Sequence, residues 1–465
     1  MWKNYRGFKN LMALTSLITI AYACTPSVAH PFLNRLRSSD TGLRLARGVF
    51  WTMAGTVISR GLMLCATVLV ARILGKTVYG ELGMIQSTVG MFGVLAGFGL
   101  GVTATKHVAE FRRTDPERTG RIIGLSGLFA MGAGGLIALG LLIFAPWLAE
   151  NTINAPHLSG ILRLSAIILF INALNGAQTG ALSGFEAFKA IAYVNLFIGL
   201  ISFPILVCGA YLGGLTGAVW GLTINLCFNW ILNHLALRKE AKRGRVPFTF
   251  KNCSCEWPIL WKFSLPAALN GALVGPVNWA CGALLVNQPG GYAEMGIYNV
   301  ANQWRMAILF IPSILGQVTL PLLTNLNAAL MGNQYQKVLK LNLLLNFSIT
   351  FLTILPLISI AHSIMSMYGS GFDEGVNVFR ILLLSTVLVS VNNVIGQVII
   401  SRGKMWVGFV FNGLWAVILV TTTYILIRLG YKSDGLAYAT LIAYIFHTIW
   451  QGMYMKYTLQ KNINQ

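Results

Sequence analysis

Acidic side chains are scarce in this sequence. Its 465 residues hold 13 aspartates and glutamates against 34 lysines and arginines, and charged residues of both signs make up only 10% of the chain. Soluble domains carry about a quarter charged residues, so an ordinary soluble protein is excluded. The seven cysteines form no disulfide framework and no Cys-x-x-Cys pair: Cys65, Cys208, Cys227 and Cys281 sit inside apolar runs, and Cys253 and Cys255 in a polar connection. A nucleotide loop is also missing. The "GKT" at Gly75–Thr77 has Val70 where a phosphate-cradling loop needs glycine, and a long apolar run precedes it. There is no metal-ligand cluster, no nucleophile elbow and no long polar segment able to fold into a separate catalytic domain. Neither catalysis, nor a cofactor, nor a metal is expected.

What is abundant is apolar sequence. Hydrophobic residues make up 55% of the chain, and the mean hydropathy is +0.68. A run of about 20 apolar residues spans a bilayer, and residues 48–457 contain about twelve such runs joined by short connections. The chain is therefore expected to be an all-α polytopic membrane protein. Its formal charge of +21 does not point to nucleic acid, because the basic residues are not clustered on one binding element. Segments 1–47, 105–121 and 237–262, with the connections near 189, 337–340 and 402–404 and the tail, hold 26 of the 34. The alternate connections, "LAENTINAPH", "NQPGGYAEMG" and "YGSGFDEG", are neutral or acidic. This is the positive-inside pattern of a chain with both termini in the cytoplasm. Arg72 and Lys76 are exceptions on the wrong side.

Internal repetition sets the organisation. "YGELGM" at 79–84 recurs as "YAEMGI" at 292–297, "AYVNL" at 192–196 as "FVFNG" at 409–413, and "TGAVWGLTI" at 216–224 as "DGLAYATLI" at 434–442, with offsets of 213 to 218 residues. Six spans fit inside that offset. The expected plan is a first six-helix repeat over 48–237, a basic cytoplasmic linker over 238–257, a parallel second repeat over 258–457 and a tail over 458–465. Repeated halves with a site between them are transporter architecture. Residues 1–47 hold Lys3, Arg6 and Lys9 before "LMALTSLITIAYAC", which resembles a signal peptide. Arg35, Arg37, Arg44 and Arg47 follow and would hold the first span's start inside the cell, so an interfacial basic extension is expected instead.

Charges buried at bilayer depth mark candidate sites, since each costs roughly 2.5–3.5 kcal/mol or more to insert. Arg60 lies deep in the first run and Arg305 deep in the eighth, both beyond reach of either interface, and both are expected to face a wet cavity. A buried structural ion pair is the alternative, with Glu81 and Glu294 the only acids near those runs. Glu81 and Glu294 occupy equivalent positions in the two repeats; local pairing with Arg72 or Lys76 is expected, and ion coupling is the alternative role. His447, alone in the last run, is read as a packed polar residue, with a proton relay the alternative. Among the many asparagines and glutamines of the runs, Asn278 and Gln303 are candidates to hydrogen-bond substrate. Trp279 and Trp304 are candidates to stack on sugar faces.

The stretch "ARILGKTVYGELGMIQSTVGMFGVLAGFGLGVTATKHVAE" (71–110), with Arg72, Gly75, Tyr79, Gly80, Gly97, Gly99 and Gly101, resembles the signature of the polysaccharide transporter (O-antigen flippase) family. That family belongs to the multidrug/oligosaccharidyl-lipid/polysaccharide exporter superfamily. The resemblance implies the fold of the multidrug extruders and lipid II flippases. It implies export of an undecaprenyl-diphosphate-linked oligosaccharide, an O-antigen, capsule or exopolysaccharide unit, across a bacterial inner membrane. Membrane lipids and other polysaccharide-assembly membrane proteins are its implied partners. "SRGLMLCATVLVARILG" (59–75) is similar to the first helix of the lipid II flippases, which puts Arg60 on a cavity arginine. Positions matching further arginines there lie near Ala66 and Val94, so a less cationic cavity is implied. The competing readings are a cation-coupled multidrug extruder, whose first-helix acid is missing from 48–71, and a major facilitator transporter, faintly suggested by "DPERTGR" (115–121).

Overall fold

The computed structural model describes residues 40–461 apart from 248, 250–252, 266–267, 269–271, 317–318, 320–331 and 403. The extension before residue 40 and the last four residues therefore lie outside the described residues. Among the described residues every regular element is helical.

The first element, α1, runs over Asp40–Gly97, 58 residues. At about 1.5 Å per residue this is nearly three times a bilayer core of about 30 Å, so it must double back. It does so at Gly75, whose φ of 75° and ψ of 167° lie in a region open essentially to glycine alone. The "GKT" is thus a helical bend and not a phosphate loop. Next come α2 (Leu100–Phe111), α3 (Pro116–Asn151), α4 (Ser159–Gly184) and α5 (Phe188–Arg243). The start of α3 is fixed by local chemistry: Pro116 occupies the first turn, and the Asp115 carboxylate accepts the Arg118 backbone N–H at 2.9 Å. Like α1, α5 is double-length, 56 residues, and breaks at Gly213–Gly214.

After the linker come α6 (Val274–Val286), α7 (Gly291–Ile308), α8 (Gly332–Ser359), the short α9 (Ala361–Ser366), α10 (Val376–Ser401), α11 (Met405–Arg428) and α12 (Lys432–Lys461). Seven helices among the described residues are long and apolar enough to cross a membrane, and two of these are the double-length ones. Adding α6, α7 and α12 makes the count consistent with twelve spans. The last two escape a hydropathy criterion because they carry polar residues inward: Glu294, Asn302, Gln303 and Arg305 on α7, His447 and Gln451 on α12. A helix with such residues must face protein or water rather than lipid.

Two seams join the parts before and after the linker. At the end opposite the basic loops, α7 sits on the second arm of α1 so closely that a Cβ on Gly80 would overlap the Tyr292 carbonyl oxygen. Lys76 Nζ pairs with Glu374 at 2.8 Å, and the Arg72 Nε–H donates to the Met367 carbonyl. Asn287 and Tyr292 donate to the carbonyls of Thr152 and Ile153, at 2.7 and 2.8 Å. These bonds give Arg72 and Lys76, out of place by charge pattern, a structural use. At the basic end the linker is anchored to the first part. The buried Glu256 carboxylate accepts from Arg118 at 3.1 Å and Arg121 at 3.4 Å. Leu260 packs with Leu100, Leu125 and Ala177.

Candidate functional site

Arg60 lies at the seam. Its guanidinium is exposed, donates through Nη1 to the Met306 carbonyl at 3.4 Å and rests over the Phe310 ring, 4.3 Å from the centroid. A 3.4 Å contact is at the outer limit of a hydrogen bond. Most of the donor fork is therefore open, and among the described residues no carboxylate pairs with it. The glycine that follows it, Gly61, has nothing within 4 Å of its Cβ position.

Arg305 behaves differently, although Arg60 touches the backbone one residue after it. Its side chain is 6% exposed, turned into the later part of the chain, with the guanidinium 5.6 Å from the Tyr444 ring centroid and Nε without a partner. The structure brings both arginines to α7 but gives them separate surroundings. Neither belongs to an ion pair among the described residues.

The other candidates scatter. Asn278 is exposed on α6 and donates to the Val274 carbonyl of its own helix. Gln303 Oε1 is buried without a partner. The indole N–H of Trp304 donates to the Tyr368 hydroxyl at 2.9 Å and its ring meets Phe379 edge-on, while Trp279 donates to Thr88 across the seam. The glutamates pair locally, as expected, but with partners other than Arg72 and Lys76. Glu81 takes His157 Nε2 at 2.9 Å, and Glu294 takes the Ser433 hydroxyl and Lys432 at 3.4 Å. The reason is the Gly75 bend, which commits Lys76 and Arg72 across the seam to Glu374 and Met367.

Sequence reasoning did not assemble one polar cavity. It holds about 360 Å³ between α6, α10, α11 and α12, lined by Asn392, Asn393, Gln397, Asn412, Trp415, Tyr444, His447 and Gln451 among others. Trp415, Tyr444 and His447 form a contiguous aromatic wall, with centroids 5.6 and 6.3 Å apart. Gln451 Nε2 lies 2.8 Å from His447 Nε2. Asn392 (both amide atoms), Gln397 Oε1, Trp415 Nε1, His447 Nδ1 and Gln451 Oε1 are buried without partners. Asn393 and Gln397, four residues apart, share a face of α10, and together with His447 they are the sequence signals that point here. Asn412, Trp415, Tyr444 and Gln451 give none.

Comparison with known proteins agrees with this architecture. The profile described as "Polysaccharide biosynthesis protein" matches residues 45–327. The EPS I polysaccharide export inner membrane protein EpsE of Ralstonia nicotianae is 24% identical over 86% of this chain and 91% of its own. The lipid III flippase of Escherichia coli is 26% identical over 61% of this chain and 68% of its own. An inward-facing multidrug resistance MATE family transporter of the MOP superfamily superposes with a TM-score of 0.72 at 14% identity, covering 89% of this chain and 99% of that one. The lipid II flippase MurJ in an inward closed conformation gives 0.65 at 16%, covering 87% of each chain. These structures share the fold. The profile match extends over more than half of the sequence, and the chain belongs to the polysaccharide biosynthesis protein family.

Proposed function

We propose that this protein is a flippase of the bacterial inner membrane. It carries an undecaprenyl-diphosphate-linked oligosaccharide, the repeat unit of an O-antigen, capsule or exopolysaccharide, from the inner to the outer leaflet by alternating access. No bond is made or broken. The observation that carries the reading is Arg60, a guanidinium at membrane depth with an open donor fork and no carboxylate partner among the described residues. A planar fork matches the oxygens of a diphosphate in two-point hydrogen bonds. A cavity that hydrates the arginine when empty, and a diphosphate that pairs it when loaded, make its position tolerable. A cation-coupled extruder would instead need an acid in the first span, where residues 48–71 have none.

The orientation belongs to the same reading, with both termini cytoplasmic. Reporter fusions after residues 115, 245 and 461 are expected to read inside, and fusions near 153 and 370 outside. Outward movement of an anionic diphosphate is assisted by an inside-negative potential, worth about 2.3 kcal/mol per charge per 100 mV. Flipping in energised vesicles is therefore expected to survive ATP depletion and to slow when the potential and any ion gradient are collapsed. The deciding experiment is deletion of the gene. Lipid-linked oligosaccharide is expected to accumulate on the inner leaflet; an unchanged lipid-linked pool with increased drug sensitivity would favour the extruder.

A further inference from the structure

The cavity between α6, α10, α11 and α12 has a chemistry unlike that of Arg60. None of its lining residues is charged when His447 is neutral. It thus lacks the carboxylate a cationic drug would seek and the cations a diphosphate would seek; Arg305 stands behind Tyr444 rather than in the lining. What it offers is an even supply of neutral hydrogen-bonding groups. With Gln451 donating to His447 Nε2, the imidazole proton resides on Nδ1. The unpartnered donors are then Asn392 Nδ2, Trp415 Nε1 and His447 Nδ1, and the unpartnered acceptors Asn392 Oδ1, Gln397 Oε1 and Gln451 Oε1. Buried polar atoms are nearly always satisfied, and each one left without a partner is destabilising. Such a concentration around one cavity calls for a ligand.

The matching ligand has groups that both donate and accept, carries no charge and presents an apolar face to aromatic rings. A sugar ring meets all three requirements. Its hydroxyls serve donors and acceptors alike, and its C–H face fits the wall of Trp415 and Tyr444. The cavity volume of about 360 Å³ lies at the small end of ligand pockets, roughly 300–1,000 Å³, which suits one or two rings rather than a long chain. The orphaned atoms are covered in this state, so side-chain rotation toward the cavity accompanies binding.

We propose that this cavity is a saccharide subsite that takes an uncharged sugar unit of the cargo, separate from the diphosphate contact at Arg60. The proposal rests on the flippase reading and divides the cargo between two places: the diphosphate at the seam, the sugar inside the later helices.

The test compares two probes on the full chain in nanodiscs: a polyprenyl diphosphate without sugar, and the same lipid carrying a short neutral oligosaccharide. The unmodified protein is expected to bind the sugar-bearing lipid about tenfold more tightly. The double variant Asn392→Ala/Gln397→Ala is expected to lose that preference while binding the sugarless lipid as before, which also shows that it is folded. Trp415→Phe, which keeps the ring and removes the N–H, is expected to lose part of the preference. Arg60→Ala is expected to weaken both lipids equally. A preference that persists undiminished in the double variant and in Trp415→Phe would overturn the subsite and leave the flippase reading standing. Failure of the unmodified protein to bind either lipid would overturn both.

Discussion

The helices before the basic linker and those after it differ in how many buried polar atoms they leave unpartnered. In the earlier part most amides are satisfied, Asn225 Oδ1 being an exception: Asn175 donates to the Leu226 carbonyl at 3.3 Å and Asn233 to Asn229 at 2.8 Å. Gln178, in the orientation that satisfies both its amide atoms, exchanges two bonds with Trp230 at 3.1 Å. In the later part the amides of Asn392, Gln397 and Gln451 keep unpartnered atoms around a cavity, and the Arg305 Nε is unpartnered as well. The earlier part closes most of its buried amides on its own hydrogen bonds; the later one leaves more polar atoms unpartnered, several of them around the cavity. Between them runs a seam that is tight at one end and carries Arg60 elsewhere.

The largest expected effect comes from breaking the seam. Gly80→Leu would push a side chain into the Tyr292 carbonyl, where even a Cβ has no room. Overpacking against backbone costs about 1–3 kcal/mol or more, so the seam is expected to open and transport to fall at least tenfold. Cysteines placed at positions 76 and 374 in a background without native cysteines read this out. They are expected to be bridged by a short bifunctional thiol reagent with Gly80 present and to escape it in Gly80→Leu.

The next test applies one substitution to both parts. Asn175→Leu removes the hydrogen bonds that Asn175 makes with the Leu226 carbonyl and the Asn233 amide; it is expected to lower stability by about 1–3 kcal/mol. Asn392→Leu removes an amide with no partner, so thermal unfolding is expected at or above the original temperature, with transport reduced. Equal destabilisation at the two positions would erase the contrast. The smallest effect is expected at the Lys76–Glu374 pair, whose side chains are 31% and 61% exposed. A double-mutant cycle with Lys76→Met and Glu374→Gln is expected to give a coupling of about 0.2–1 kcal/mol, shrinking with salt.

Much of this architecture is legible in the chain itself. Apolar runs and the alternation of basic with neutral connections give the spans, because hydrocarbon thickness and membrane orientation act on single segments. Gly75 is legible too, since a double-length helix needs a place to turn. The surroundings of Arg60 and Arg305 are not. Both read as deep charges of equal standing, and only the packing of α1 and α7 against their neighbours exposes one and buries the other. The partners of Glu81 and Glu294 depend likewise on which loops close over them. The later cavity is hidden for another reason. Its amides and rings lie on α10, α11 and α12, dozens of residues apart, and a Trp415 or Tyr444 looks like any other aromatic in a span. Long-range assembly carries no local signal.

The central claim is that the chain moves an anionic lipid-linked sugar past Arg60. Its most direct test is a leaflet-exchange assay in proteoliposomes, with polyprenyl-diphosphate-linked oligosaccharide as cargo and equal amounts of folded protein. The unmodified chain is expected to exchange the cargo, Arg60→Ala to slow it at least tenfold, and Arg60→Lys to restore part of the rate by keeping charge without the fork. Equal exchange by the unmodified chain and a well-folded Arg60→Ala would contradict the account.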